Sequence, residues 1–171
     1  MKEILLYIVP STNYFQNVCN IIKEHICPGK FLIYVTTNKS TNHLKGIFEG
    51  MKINAQEIFF IDCISKSIGD LNKEDKNCIC LEGPQEITGL SIAINKAVQA
   101  IPGEKVLFID SLSALLIYND DCTIAKFSNF IINKMRINNV KTIIIALDSD
   151  ADTKTIKIVS SFADEVKKDA Y

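Results

Sequence analysis

At 171 residues the chain is within the size of one domain, and a chain of this length buries roughly 70% of the surface its unfolded form exposes, so one domain spanning residues 1–171 is expected. Hydrophobic residues at 47% and charged residues at 23% exclude a disordered chain, and a formal charge of −1 excludes a general electrostatic pull toward nucleic acid or an anionic membrane. No apolar stretch approaches the roughly 20 residues of a membrane helix, and the N-terminal apolar run stops at Pro10, too soon for a secretion signal, so a cytoplasmic protein with no membrane partner is expected.

Ile4 to Val9 is a continuous apolar run of strand length. Tyr14 to His25 then sets Phe15, Val18, Cys19 and Ile22 at helical spacing, and Cys27-Pro28-Gly29 stops that helix. Phe31 to Thr36 reads as a strand, Thr41 to Met51 as a helix with Leu44, Ile47, Phe48 and Met51 on one side, and Ile58 to Asp62 as a third strand. Ser65 to Asn77 is the most polar stretch and has no periodicity, which predicts a mobile loop. Next come a strand from Cys78 to Leu81, a helix from Ile87 to Ala100 stopped by Pro102-Gly103, and a strand from Val106 to Asp110. Ile124 to Ile137 predicts a helix, Thr142 to Leu147 a strand, Thr155 to Val159 a weaker strand, and Ser161 to Lys167 a last turn of helix. The strands are mostly uninterrupted apolar runs, as strands covered on both faces should be. Their alternation with helices predicts an α/β fold, a doubly wound and mostly parallel sheet with right-handed crossovers.

The six cysteines read as reduced thiols in a chain without an export signal. Cys78 and Cys80 are the one close pair, and a one-residue spacer on a strand points both thiols to the same face. Zinc would need two further ligands at matched spacing, which neither His25 nor His43 supplies; both histidines fall near helix ends and read as surface or capping residues. Asp148, Asp150 and Asp152 lack the glycine and distal glutamate of a calcium loop and read as a solvated turn. Lys167 and Lys168 are too few for a nucleic-acid patch.

One strand carries the outline of a chemistry. Val106-Leu107-Phe108-Ile109 lifts the Asp110 carboxylate to a strand's C-terminal edge, with Ser111 next, which looks like the magnesium-holding half of a phosphate-binding ATPase site. The other half, G-x-x-x-x-G-K-[ST] after the first strand, is missing: the chain reads Pro10-Ser11-Thr12-Asn13-Tyr14-Phe15 there, with no glycine and no lysine.

Other segments fall into the same order. Phe31-Leu-Ile-Tyr-Val-Thr36, Phe59-Phe-Ile-Asp62 with Cys63-Ile64-Ser65, Glu82 to Leu90, Lys105-Val-Leu-Phe-Ile-Asp-Ser-Leu-Ser-Ala-Leu115 and Phe162-Ala-Asp-Glu-Val166 together resemble the RecA superfamily, and within it the KaiC- and RadA-like branch common in archaea. The resemblance covers nearly the whole chain and rests on pattern more than on invariant residues. It implies the RecA-like core of the phosphate-loop nucleotidases.

The departures from that family bear directly on function. Its first loop wraps phosphates with backbone N–H groups, using glycines for close approach and a lysine for charge. Here Pro10 removes a donor, and Tyr14 and Phe15 fall where the anion should rest. KaiC-like members also carry one or two water-activating glutamates after the second strand, where this chain has Thr37-Asn38-Lys39. Losing several charge-assisted hydrogen bonds of roughly 1.5–3 kcal/mol each should abolish ordinary ATP affinity.

Three functions are weighed on these residues. The first is a catalytically degenerate domain, a pseudo-ATPase needing no cofactor, that works as an interaction or regulatory module for a protein partner, either an active RecA-family ATPase or a further copy of itself. The alternative is a weak ATP- and magnesium-binding ATPase or nucleotide sensor. Its residual site would comprise Ser11, Thr12, Asn13, Asn38, Asp110 and Ser111, with Asp110 holding the metal. All but Asn38 also have a structural reading: Ser11, Thr12 and Asn13 as helix caps, Asp110 and Ser111 as strand-end caps. Thr36, Thr37, Asn38, Ser40 and Asp62 join them at the sheet edge where open α/β folds bind ligands. A third reading, a flavodoxin-like flavin binder, rests only on the hydroxyl-rich Ser11-Thr12-Asn13 after the first strand.

Overall fold

The structure, a computed structural model, describes residues 3–27, 29–70 and 75–168. Pro28 and residues 71–74, the middle of the stretch expected to be a mobile loop, lie outside the described residues.

Seven parallel strands form one sheet: β1 (Ile4–Val9), β2 (Phe31–Thr36), β3 (Ile58–Asp62), β4 (Cys78–Cys80), β5 (Lys105–Asp110), β6 (Lys141–Leu147) and β7 (Glu165–Lys168), in the order β4-β3-β2-β5-β6-β1-β7. The doubly wound α/β class is as the sequence predicts. A flavodoxin-type sheet runs 2-1-3-4-5 with its first strand inside the early strands. Here β1 pairs with β6 and β7, which removes the structural basis of the flavodoxin reading.

Strand faces sort the helices. On one face, α1 (Tyr14–His25) and α2 (Thr41–Gly50) cover Leu5, Tyr7, Tyr34, Phe60, Phe108 and Ile143. On the other, α4 (Ile87–Ala100), α5 (Leu112–Tyr118), α6 (Asp121–Ile137) and α7 (Lys154–Phe162) cover Ile4, Leu6, Ile33, Leu107, Ile109 and Ile144. Each of these large side chains is almost wholly removed from water, worth about 1.5–3 kcal/mol apiece. Two cores back to back explain why the strands carry no polar alternation.

Several expectations are corrected. Thr155 to Val159 is helical, within α7. Thr153 starts that helix by accepting a hydrogen bond from the Ile156 N–H, and Ile156 and Val159, three apart, share its buried side. Packing on α6 overrides the β-branched composition. The last turn of helix expected over Ser161 to Lys167 is instead the end of α7 followed by β7, a polar edge strand paired with β1. Ser65–Ile68 forms a short helix, α3, at the start of the stretch expected to be a loop. α5 has no counterpart in the sequence reading, because Leu-Ser-Ala-Leu-Leu-Ile-Tyr is apolar at almost every position and shows no helical stripe.

Candidate functional site

The connections after β2 and β5 run in opposite directions across the sheet, so the C-terminal ends of these neighbouring strands form the crevice where open α/β sheets bind ligands. Here Thr37 ties the two strand ends together. Thr37, just beyond β2, donates from its N–H to the Asp110 carbonyl at 2.9 Å and from Oγ1 to the same oxygen at 2.9 Å. Its Oγ1 in turn accepts from the Ser111 N–H at 2.9 Å. The Asp110–Ser111 peptide is cis.

Register decides where Asp110 points. Phe108 and Asp110 are two apart on β5 and face α1, as does Tyr34, which pairs with Phe108 across β2. The Tyr34 ring stacks on Phe108 with centroids 5.2 Å apart and is walled by Phe48 and Phe60, so its hydroxyl is driven along the sheet toward Asp110. Tyr34 donates to Asp110 Oδ2, and Tyr14, the first residue of α1, donates to Oδ1. Asp110 has no exposed surface. Burial pushes its carboxyl up to about 6, against the two tyrosine hydrogen bonds and the Lys39 charge, which pull it down. Burial and the adjacent carboxylate push both tyrosine hydroxyls well above their ordinary value.

Asp62, at the equivalent end of β3, shows the opposite balance. It accepts from the Thr41 N–H (2.7 Å) and Oγ1 (2.6 Å), starting α2, and from Ile64 N–H (2.7 Å), Ser65 N–H (2.8 Å) and Ser65 Oγ (2.6 Å), starting α3. Burial pushes this carboxyl up, but the hydrogen bonds from Ser65 and Thr41 outweigh it and hold Asp62 below its ordinary value. Asp62 thus ties the starts of two helices to the end of β3, beside the Ser40 cap of α2.

The residues proposed for a residual nucleotide site are partly brought together. Ser11, Asn38 and Ser111 line an open cleft of about 780 Å³ beside α5, as does Tyr14. Thr12 and Asn13 are exposed in the turn before α1 and do not line it. Their expected capping is not realised: Asn13 takes the left-handed conformation (φ 54°) and makes no side-chain cap bond. The Asn17 side chain instead donates to the Thr12 carbonyl at 3.3 Å. Ser111 does cap, accepting from the Ala114 N–H at the start of α5. Lys39 points its ammonium at the Phe15 ring, 4.9 Å from the centroid, and does not line the cleft.

The rest of the lining was not foreseen. Asn119, Asp120, Asp121 and Thr153 come from α5, α6 and the entry to α7, and Asp150 from the turn after β6. Nothing in the linear pattern links these positions; the parallel sheet brings them to one edge. The lining holds three carboxylates and, among the described residues, no Lys, Arg or His. A magnesium nucleotide needs a free carboxylate oxygen for its metal and cations for its phosphates. At this edge Asp110 has no exposed surface and lies under two tyrosine hydroxyls, and the open space offers no cation for phosphates, so the residues present do not fit that group.

Elsewhere, Cys78 and Cys80 share a face of β4 with sulfurs 3.6 Å apart, Cys19 and Cys63 are core thiols, and Cys27 and Cys122 are exposed. The Tyr7 hydroxyl is 2.6 Å from Nε2 of His25, which makes His25 a half-buried structural partner. Among the described residues no cluster of three or more His, Cys, Asp or Glu is placed to hold a metal ion, and no helix is long and apolar enough to cross a membrane.

The geometry has solved counterparts. The chain superposes on the KaiC-like protein PH0186 of the hyperthermophilic archaeon Pyrococcus horikoshii with a TM-score of 0.68 and 14% identity, over 97% of this chain and 70% of that one. It superposes on the uncharacterized protein PH0321 of the same organism, solved in complex with an unknown peptide, with a TM-score of 0.73 and 14% identity, over 98% of this chain and 78% of that one. No protein-family model and no curated protein sequence matches the chain. The fold is therefore RecA/KaiC-like, a seven-stranded parallel α/β core.

Proposed function

We propose that this chain is a RecA-like domain that no longer hydrolyses ATP and serves as an interaction or regulatory module for a protein partner, either an active ATPase of the same fold or another copy of itself. The observation that carries the reading is the double tyrosine clamp: the carboxylate in the metal-holding position is fully buried, with one hydroxyl on each oxygen. Thr37-Asn38-Lys39 supports it, since none of these residues is a general base at neutral pH in an ordinary environment. Support also comes from PH0321, a protein of this fold solved with a peptide bound.

Thermal unfolding with and without millimolar Mg-ATP, with ADP and magnesium controls, tests the first half of the proposal. Ligand at about 100 times its dissociation constant adds about 2.7 kcal/mol, several degrees in a domain of this size. No shift is expected. A shift that Asp110→Asn abolishes would overturn the proposal and establish the nucleotide-sensor alternative, with Asp110 as its metal ligand.

A further inference from the structure

Helix α5 is apolar on nearly every side, yet it has a core on only one. Leu112, Ala114 and Leu115 are buried, while Ile117 is 77% exposed and Tyr118 52%. A helix without a polar face is normally covered all round. Exposed Ile117 also lines the cleft, together with Ala114, Leu116 and Leu147 as its apolar lining. The same cleft is lined by three carboxylates, Asp120, Asp121 and Asp150. Asp120 caps α6 through Thr123 (N–H at 2.9 Å, Oγ1 at 2.7 Å), and Asp121 accepts from the Thr155 hydroxyl, so both are held in place by the fold. An ionised carboxylate accepts about four hydrogen bonds, so one occupied in this way keeps acceptor capacity for a further donor.

Resting on the interaction-module reading, we infer that this cleft is the docking surface, and that its occupant is a partner segment presenting an arginine or lysine beside an apolar residue. Charge complementarity selects the occupant: phosphates and acidic segments are repelled, and a purely apolar segment would bury the carboxylates without pairing them. A long cationic side chain meets both kinds of lining at once, laying its methylene stem on Ile117 and Leu147 while its charged head reaches the carboxylates. About 780 Å³ is ample for one such side chain and its neighbour.

The test is selection of a randomised phage-displayed peptide library on the full chain, in parallel with an Asp120→Asn/Asp150→Asn variant. Asparagine retains a capping oxygen, so the variant should melt with the parent. The expected result is a consensus of Arg or Lys next to an apolar residue. A synthetic peptide of that consensus should bind the variant at least tenfold more weakly and perturb the backbone amides of Ile117 and Leu147 in nitrogen-15 spectra. An acidic or purely apolar consensus, the same consensus and affinity on the variant, no consensus at all, or spermidine matching the peptide in competition would overturn the inference. Any of these, with Mg-ATP still producing no thermal shift, removes this cleft while leaving the non-hydrolysing reading in place; an ATP shift removes the reading itself.

Discussion

Asp110 and Asp62 are the same residue type at equivalent strand ends, and their surroundings make them opposites. In the unfolded chain Asp110 ionises near 3.8, and in the fold near 6. Between those values the folded chain keeps a proton that the unfolded chain has lost, so this group's contribution to stability falls as pH rises through that window, by about 3 kcal/mol in all. Asp110→Asn removes the slope. Urea unfolding of parent and variant from pH 4 to 7 should show the variant gaining relative to the parent as pH rises, and a constant difference would refute the buried charge. Asp62 has the opposite sign: its depressed value makes its contribution complete above the ordinary carboxylate range and lost as pH falls through its folded value. Asp62→Ala leaves the Thr41, Ile64 and Ser65 N–H groups without their acceptor, with only the Ser40 cap left at the start of α2, and should cost about 3 kcal/mol at pH 7 in chemical denaturation.

Among the elements, the β2–β5 pairing is extended past the end of both strands by one hydroxyl. Thr37 Oγ1 is buried, donating to the Asp110 carbonyl and accepting from the Ser111 N–H. Thr37→Val keeps the shape and the backbone bond from residue 37 to the Asp110 carbonyl but orphans the Ser111 N–H, so a loss of about 1–3 kcal/mol is expected, with faster amide exchange at Ser111. Thr37→Ser should restore most of the stability. If the valine variant is as stable as the parent, the Thr37 hydroxyl does not hold these strand ends together. At the helix level, Thr153→Ala should cost about 1 kcal/mol by removing the α7 cap, and circular dichroism should register a small helical loss.

Across the whole molecule, Asp164 gathers three distant parts of the chain. Its carboxylate accepts from the Ile4 N–H at 2.8 Å and from Arg136 of α6 at 2.7 Å, and its own N–H donates to the Ile4 carbonyl at 2.9 Å. The following four residues then pair with β1 as β7. Ending the chain after Ala163 would leave β1 as an open, apolar edge strand, the arrangement that templates aggregation. The expected outcome is a lower melting temperature and concentration-dependent association in sedimentation. A truncated chain that stays monomeric at the parent's melting temperature would show that the closing strand is dispensable.

How far the fold can be read from the linear chain follows from the range of the forces involved. Apolar runs such as Ile4 to Val9 and Ile143 to Ala146, and the three-to-four spacing of Phe15, Val18, Cys19 and Ile22, report burial directly, so six of the seven strands and the major amphipathic helices were legible. Thr155 to Val159 and Glu165 to Lys168 misled because a short β-branched helix and a polar edge strand take their state from neighbours, not from propensity. At the site, the missing glycines and lysine could be seen in the residues after β1, and so could bulky Tyr14. Tyr34 gave no signal beyond being one aromatic in an apolar strand. Its role exists because β2 pairs with β5 in a register that stacks it on Phe108 and aims it at Asp110. The acidic cleft is likewise a product of topology, since Asp120, Asp121 and Asp150 meet Ser11 and Asn38 only when parallel strands bring their C-terminal loops to one edge. Local pattern encodes which residues leave water, and long-range pairing settles which of them touch.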